Sequence, residues 1–253
     1  MSVEDEATIN LLDCGAGEST LIFLHYFGGS SRTWLEVIEH LKDNSRCIAP
    51  DLRGFGESQP TAGQYAMADY ADDLEGMIQA LGLTRYILIG HSMGGKIALA
   101  FAVRQPTGLQ SLVLIAPSPP TPEPMSETER SRLLSTHGER TSAEETAHKI
   151  AVRPLSSSQF NQVIDDNLRS SEAAWRAWLK HGSREDLSSS VAKINVPTLV
   201  IIGGADPVLS PHLIEQQVVN QIVGAHLEIV SGAGHLLPFE APKTIAEHVR
   251  LVL

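Results

Sequence analysis

The sequence predicts an α/β fold, a mostly parallel central sheet flanked by helices, with one helical insertion. Three observations carry this reading. Short, wholly apolar runs at residues 21–24, 86–89 and 112–116 lack polar alternation, the pattern of strands covered on both faces. Amphipathic stretches of helical period separate them, such as residues 67–81, with Leu74, Met77, Ile78 and Leu81 on one face. The rhythm breaks once, between Pro117 and Pro124, where five of eight residues are proline.

Each element follows from its own residues. Residues 21–24 are large and apolar and run into a glycine turn, which makes them a buried strand. Residues 34–41 read as a helix and 46–50 as a short strand. Residues 67–81 form a helix that Gly82 stops. Residues 86–89 are a strand, 96–105 a helix with Pro106 just beyond it, and 112–116 the next strand. Residues 118–193 are polar and Ser-rich with no strand pattern. They are expected to be a helical cap inserted into a core made of residues 1–117 and 194–253. Residues 196–202 resume the buried-strand pattern, 213–219 are helical, 226–230 are a last strand and 242–253 a closing helix. Strands alternating with helices on this scale imply a parallel sheet covered on both faces.

Composition narrows the function. A chain of 253 residues suits one large domain or a domain with an insertion, and 42% hydrophobic residues supply a substantial core. The formal net charge of −11, with no basic cluster, excludes binding to phosphate backbones and disfavours anionic lipid. Cys14 and Cys47 make neither a disulfide framework nor a metal-ligand spacing. Cys47 lies in an apolar stretch and is expected in the core; Cys14 is expected to be partly exposed. The acidic start, Met-Ser-Val-Glu-Asp-Glu, is no signal peptide, and the apolar runs are far short of a membrane span. A cytoplasmic protein acting on a small molecule is the expectation. The oligomeric state is not legible.

Gly90-His91-Ser92-Met93-Gly94 matches G-x-S-x-G between a buried strand and a helix. A sharp strand-to-helix turn strains the central residue and leaves no room for side chains two positions away, hence the glycines. It lifts Ser92 out of the sheet and aims a helix N-terminus at the reacting atom. Serine needs a base. Among ten histidines, His235 stands apart in Ser231-Gly-Ala-Gly-His235, a glycine-rich loop directly after the last strand. The acid belongs at the end of the preceding strand, where Gly203-Gly-Ala-Asp206-Pro207 supplies Asp206. The strand ending at Ala116 is followed by Pro-Ser-Pro-Pro and offers no carboxylate.

These residues resemble the α/β-hydrolase superfamily, in the order Ser, Asp, His. Three further motifs share the likeness: His25-Tyr-Phe-Gly-Gly-Ser30, Asp51-Leu-Arg-Gly-Phe-Gly-Glu-Ser58, and Asn195-Val-Pro-Thr-Leu-Val-Ile-Ile-Gly-Gly-Ala-Asp206. The likeness spans nearly the whole chain except the cap. It implies an oxyanion hole from the backbone N–H groups of Met93 and Phe27. One departure stands out: Tyr26 occupies a position where the family often has glycine. It either bears a strained backbone angle, reaches the site with its phenol, or packs beneath the cap. The 51–58 segment reads as structural, with Asp51 and Arg53 able to pair locally.

The expected function is a serine hydrolase cleaving a small, largely apolar carboxylic ester, thioester or lactone, with no metal or organic cofactor. Trp175 and Trp178, three apart on a cap helix, are candidate substrate contacts along with Tyr26. Two alternatives remain at this stage. A carbon–carbon bond hydrolase acting on a dienoate ketone would need a carboxylate receptor, for which the cap offers Arg153, Arg169, Arg176 and Arg184. A non-catalytic ligand receptor on the same fold would bind without turnover.

Overall fold

A computed structural model describes residues 8–61 and 63–253, so the acidic N-terminal hexapeptide lies outside the described residues. Seven strands form one sheet in the order β1-β3-β2-β4-β5-β6-β7. They are β1 (Leu11–Cys14), β2 (Ser19–Leu24), β3 (Ser45–Pro50), β4 (Tyr86–His91), β5 (Leu109–Ile115), β6 (Thr198–Gly203) and β7 (His226–Val230). All neighbours are parallel except β1, which pairs antiparallel with β3. Every residue of β4 and β6 is buried, as their unbroken apolar runs require.

The helices follow the sequence pattern, with shifts that have physical causes. A 3₁₀ turn (Ser31–Trp34) leads into α1 (Leu35–Glu39), which is shorter than the expected helix. Helix α2 (Met67–Ala80) ends as expected beside Gly82, whose φ is +62°. Helix α3 (Met93–Ala102) begins three residues earlier than expected. The reason is the turn at Ser92, whose carbonyl already accepts from the Gly95 and Lys96 amides at 2.9 and 3.1 Å. Strand β1 was not anticipated. Four residues that include Asp13 carry no readable period, and their conformation is set by a partner more than thirty residues away (Leu12 against Ala49).

Between β5 and β6 the chain forms α4 (Glu127–Ser135), α5 (Arg140–Ile150), α6 (Ser157–Arg169) and α7 (Glu172–Lys180). Serine side chains cap α4, α6 and α7, as the Ser-rich composition allows. Arg32 grips buried Asp166 of α6 through Nε and Nη2, and the Ser171 amide donates to Gly54 O at 2.8 Å. These bonds hold the helices over the carboxyl ends of the strands. After β6 come α8 (Pro211–Gln217), α9 (Leu237–Glu240) and α10 (Pro242–Arg250). Among the described residues no helix is long and apolar enough to cross a membrane.

The 51–58 turn is structural, but not through the expected pair. Asp51 accepts from the Ser31 amide (2.6 Å), the Glu57 amide (2.9 Å) and Asn10 Nδ2 (2.9 Å). Arg53 instead pairs with Asp73 of α2. Asp51 is consumed by stitching the loops after β2 and β3, which leaves the guanidinium free to reach the neighbouring helix.

The crossing of β4 into α3 is the tightest place in the fold. A Cβ on Gly94 would lie 2.4 Å from the Leu24 carbonyl oxygen, and one on Gly90 2.4 Å from the Gly94 carbonyl oxygen. Both obstacles are backbone and cannot move aside. Gly76, exposed within α2, has nothing within 4 Å of its added Cβ. Gly94→Ala is therefore expected to destabilise by about 1–3 kcal/mol, while Gly76→Ala stabilises by about 0.5–1 kcal/mol. Urea-unfolding midpoints moving in opposite directions would check both.

Candidate active site

Beyond β2 the chain turns toward β3 on one side of the sheet; beyond β4 it turns toward β5 on the other. Divergence of two adjacent parallel strands opens a crevice at their carboxyl ends, the usual place for a ligand in such sheets. The loop after β2 brings Tyr26 and Phe27 to this crevice, and the turn after β4 brings Ser92. Ser92 sits at φ 52°, ψ −113°, a left-handed conformation that raises its hydroxyl above the sheet.

The loops after β6 and β7 supply the partners. His235 Nε2 lies 3.0 Å from Ser92 Oγ, and His235 Nδ1 lies 2.8 Å from Asp206 Oδ2. All three residues are buried. A carboxylate facing Nδ1 places the ring proton there, so the Nε2 lone pair faces the serine hydroxyl. Asp206 Oδ1 accepts from the Val208 and Leu209 amides at 2.7 and 3.0 Å, which fixes the carboxylate. Burial opposes the Asp206 charge, but His235 and those amides outweigh it and hold the carboxyl below the ordinary value of 3.8. Burial likewise opposes an imidazolium at His235, and the Asp206 carboxylate reverses the balance, so its pKa is raised above 6.5. The chain hydroxyl–imidazole–carboxylate is thus prepared to take up a proton at the ring.

Met93 follows Ser92 directly in the chain, and Phe27 lines the same cavity as Ser92 and His235. Among the described residues neither amide is spent on a backbone or side-chain acceptor. Met93 opens α3, where the helix dipole favours negative charge. The other histidines nearby are structural. The Leu52 amide donates to His25 Nε2 at 3.0 Å, so His25 holds its proton on Nδ1 and donates it to Tyr26 O at 2.8 Å. Burial lowers its pKa to about 4. His91 Nε2 donates to the His235 carbonyl at 2.8 Å; burial and the neighbouring His235 lower its pKa to about 3.

A cavity of about 340 Å³ opens onto Ser92 and His235, with Phe27, Tyr26, Trp178 and Glu123 among its lining. Of the two expected tryptophans, only Trp178 lines it. Trp175 lies behind Phe27, ring centroids 4.2 Å apart, and its Nε1 donates to Leu133 O at 2.9 Å. Tyr26 carries none of the expected backbone strain: the left-handed angle falls two residues later, at Gly28 with φ +82°. Its ring lies 5.2 Å from that of His91 and packs among Ala147, Val163, Leu236 and Phe239. Its hydroxyl is buried without a partner and does not bond Ser92.

Two acidic residues that the sequence did not single out shape the site: Glu123 on the cavity wall and Glu240 beneath the histidine loop. Glu240 Oε2 accepts from the Gly234, Arg153 and Val152 amides at 2.8, 2.8 and 3.1 Å, and Oε1 accepts from Leu236 at 3.0 Å. The His235 amide donates to Ile150 O at 3.0 Å. One buried carboxylate thus brackets His235 on both sides and ties it to the end of α5. A lone glutamate at the end of a short helix gives no sequence signal for this; only the return of residues 150–153 to the loop reveals it. Glu240→Gln puts an amide donor against backbone donors. It is expected to cost about 1–3 kcal/mol in urea unfolding and to speed exchange of the downfield His235 Nδ1 proton in NMR spectra.

Comparison with known proteins agrees with this architecture. Residues 19–142 match the family model described as alpha/beta hydrolase fold. A Bacillus subtilis (strain 168) protein provisionally named 2-succinyl-6-hydroxy-2,4-cyclohexadiene-1-carboxylate synthase is 31% identical, covering 98% of this chain and 96% of its own. Two solved esterases superpose over nearly the whole length. That from Exiguobacterium antarcticum has TM-score 0.91 at 23% identity, covering 98% of this chain and 96% of its own. That from Thermogutta terrifontis has TM-score 0.79 at 27% identity, covering 99% and 94%. With its sheet order, its strained serine turn and a relative alike from end to end, the chain belongs to the alpha/beta hydrolase family.

Proposed function

We propose that the protein is a serine hydrolase of small, largely apolar carboxylic esters, thioesters or lactones, acting through Ser92, His235 and Asp206. The observation that carries this is the continuous contact from Ser92 Oγ to His235 Nε2 (3.0 Å) and from His235 Nδ1 to Asp206 Oδ2 (2.8 Å) on the wall of a largely apolar cavity. Ser92 Oγ attacks the substrate carbonyl as His235 takes its proton. Asp206 holds the tautomer and stabilises the imidazolium. The Met93 and Phe27 amides receive the oxyanion, each contributing about 3–4 kcal/mol. The imidazolium protonates the departing alcohol, and His235 then activates water against the acyl-enzyme.

The carbon–carbon hydrolase reading finds no carboxylate receptor among the four cap arginines. Arg153 donates to the carbonyls of Ser231, Gly232 and Glu240; Arg169 pairs with Glu57, Arg176 with Glu172 and Arg184 with Glu127. None of the four lines the cavity. Lys149 does, with Nζ 2.9 Å from Glu129. The likeness to esterases of known structure supports the ester reading.

Turnover separates an enzyme from a receptor. Wild-type protein is expected to hydrolyse p-nitrophenyl butyrate and to be labelled at one serine by a fluorophosphonate. Ser92→Ala should remove the labelling and lower kcat/KM by about 10³-fold or more. Labelling at another serine, or tight ligand binding without hydrolysis, would overturn the proposal. Asp206→Asn should lower kcat by about 10³–10⁴-fold. The base works only when neutral, so activity is lost as pH falls through the His235 pKa. Because Asp206 raises that pKa, the acid limb of kcat/KM in the wild type should lie above 6.5, and Asp206→Asn should move it to lower pH.

A further inference from the structure

We propose that Glu123 makes the cavity select esters bearing a cationic group over neutral isosteres, and neutral over anionic ones. The inference rests on the ester-hydrolase reading and adds the charge of the substrate to it. Glu123 follows the proline-rich exit from β5, and its amide donates to Ser183 O at 2.8 Å, which fixes the backbone. The side chain shares the cavity wall with Ser92, His235, Phe27 and Trp178. Its Oε2 is buried and has no hydrogen-bond partner.

The cations around it are committed elsewhere. Lys96 lies beneath the wall, fully buried, with Nζ 3.0 Å from Thr121 O. Arg130 donates to Leu179 O and, at 2.7 Å, to Ser183 Oγ. Among the described residues no basic group comes within ion-pair distance of Glu123. Burial raises the Glu123 pKa above the ordinary 4.5, opposed only in part by His235, Lys96, Arg130 and Ser118, so a ligand cation would favour its charged form. On the same wall Glu129 is already bonded to Arg132 and Lys149. The cavity therefore offers one uncommitted carboxylate and no uncommitted cation among the described residues.

An isolated carboxylate facing an apolar cavity is costly, and a ligand cation offsets that cost. The neighbouring rings strengthen the preference. Phe27 and Trp178, with centroids 6.0 Å apart, put two aromatic rings on the cavity wall, a kind of group that attracts a quaternary ammonium and does nothing for a carboxylate. A substrate carboxylate would meet like charge, with no arginine lining the cavity among the described residues.

The test uses p-nitrophenyl esters with one acyl length and three charges: 4-(trimethylammonio)butanoate, the neutral 5,5-dimethylhexanoate and the anionic hemiglutarate. Butyrylthiocholine and its neutral 3,3-dimethylbutyl isostere place the cation in the alcohol instead. For wild type, kcat/KM is expected to favour the cation over its isostere by about tenfold in at least one series, with the anion slowest. Glu123→Gln should bring the cation-to-neutral ratio close to one, and Glu123→Asp should keep part of it. A ratio reports on the folded fraction alone, so a less stable variant still gives a reading. A wild-type ratio near one in both series overturns the proposal. So does a ratio that survives Glu123→Gln, which would trace it to the overall negative charge of the chain. A fall in melting temperature with an unchanged ratio would reduce Glu123 to a counterion for Lys96. Absence of fluorophosphonate labelling at Ser92 is a separate failure, that of the ester reading itself, and takes this inference with it.

Discussion

The site depends on holding one imidazole ring still between two oxygen atoms that come from distant parts of the chain. A ring on a glycine-rich loop has no such fixity by itself. Here it is bound at both nitrogens, and its own backbone amide and carbonyl are bound as well, to Ile150 and His91. Glu240 adds bonds to the residues on either side of it. Hydrogen bonds to a charged group contribute about 1.5–3 kcal/mol each when buried, enough to hold a loop that local propensity leaves loose.

Burial makes these contacts strong and also sorts the histidines by role. His25, His91 and His235 all lie inside the protein. Desolvation alone would make each of them neutral and unreactive. It prevails at His25 and His91, whose bonding partners include a backbone amide or carbonyl. It is overridden at His235 because a full negative charge sits 2.8 Å away. Burial thus leaves two histidines with lowered pKa values and one with a raised value, and Asp206 contributes most to the difference.

Much of this could be read from the residues. Apolar runs, three of them unbroken, located six of the seven strands, and the glycines flanking Ser92 forecast the steric crowding found at Gly90 and Gly94. Asp206 and His235 stood out because each lies in a glycine-containing loop that follows a strand. What stayed hidden was set by distant partners. Strand β1 exists because β3 offers it an edge. Arg53 turned from Asp51 to Asp73 because three other donors had claimed Asp51. Trp175 and Trp178 share a helix face, yet Phe27 covers one and leaves the other on the cavity. Glu123 and Glu240 are ordinary acidic residues in sequence. Their importance comes from what folds back over them.

The four-donor bracket around Glu240 also bears on how the helices above the site can diverge. Two of those donors, Val152 and Arg153, belong to the exit from α5, and the other two belong to the histidine loop. A foreign helical segment grafted between β5 and β6 would bring its own substrate walls. If its junction replaced residues 150–153, it would also strip His235 of its scaffold. Chimeras that exchange these helices should therefore be spliced so that this corner stays with the parent sheet.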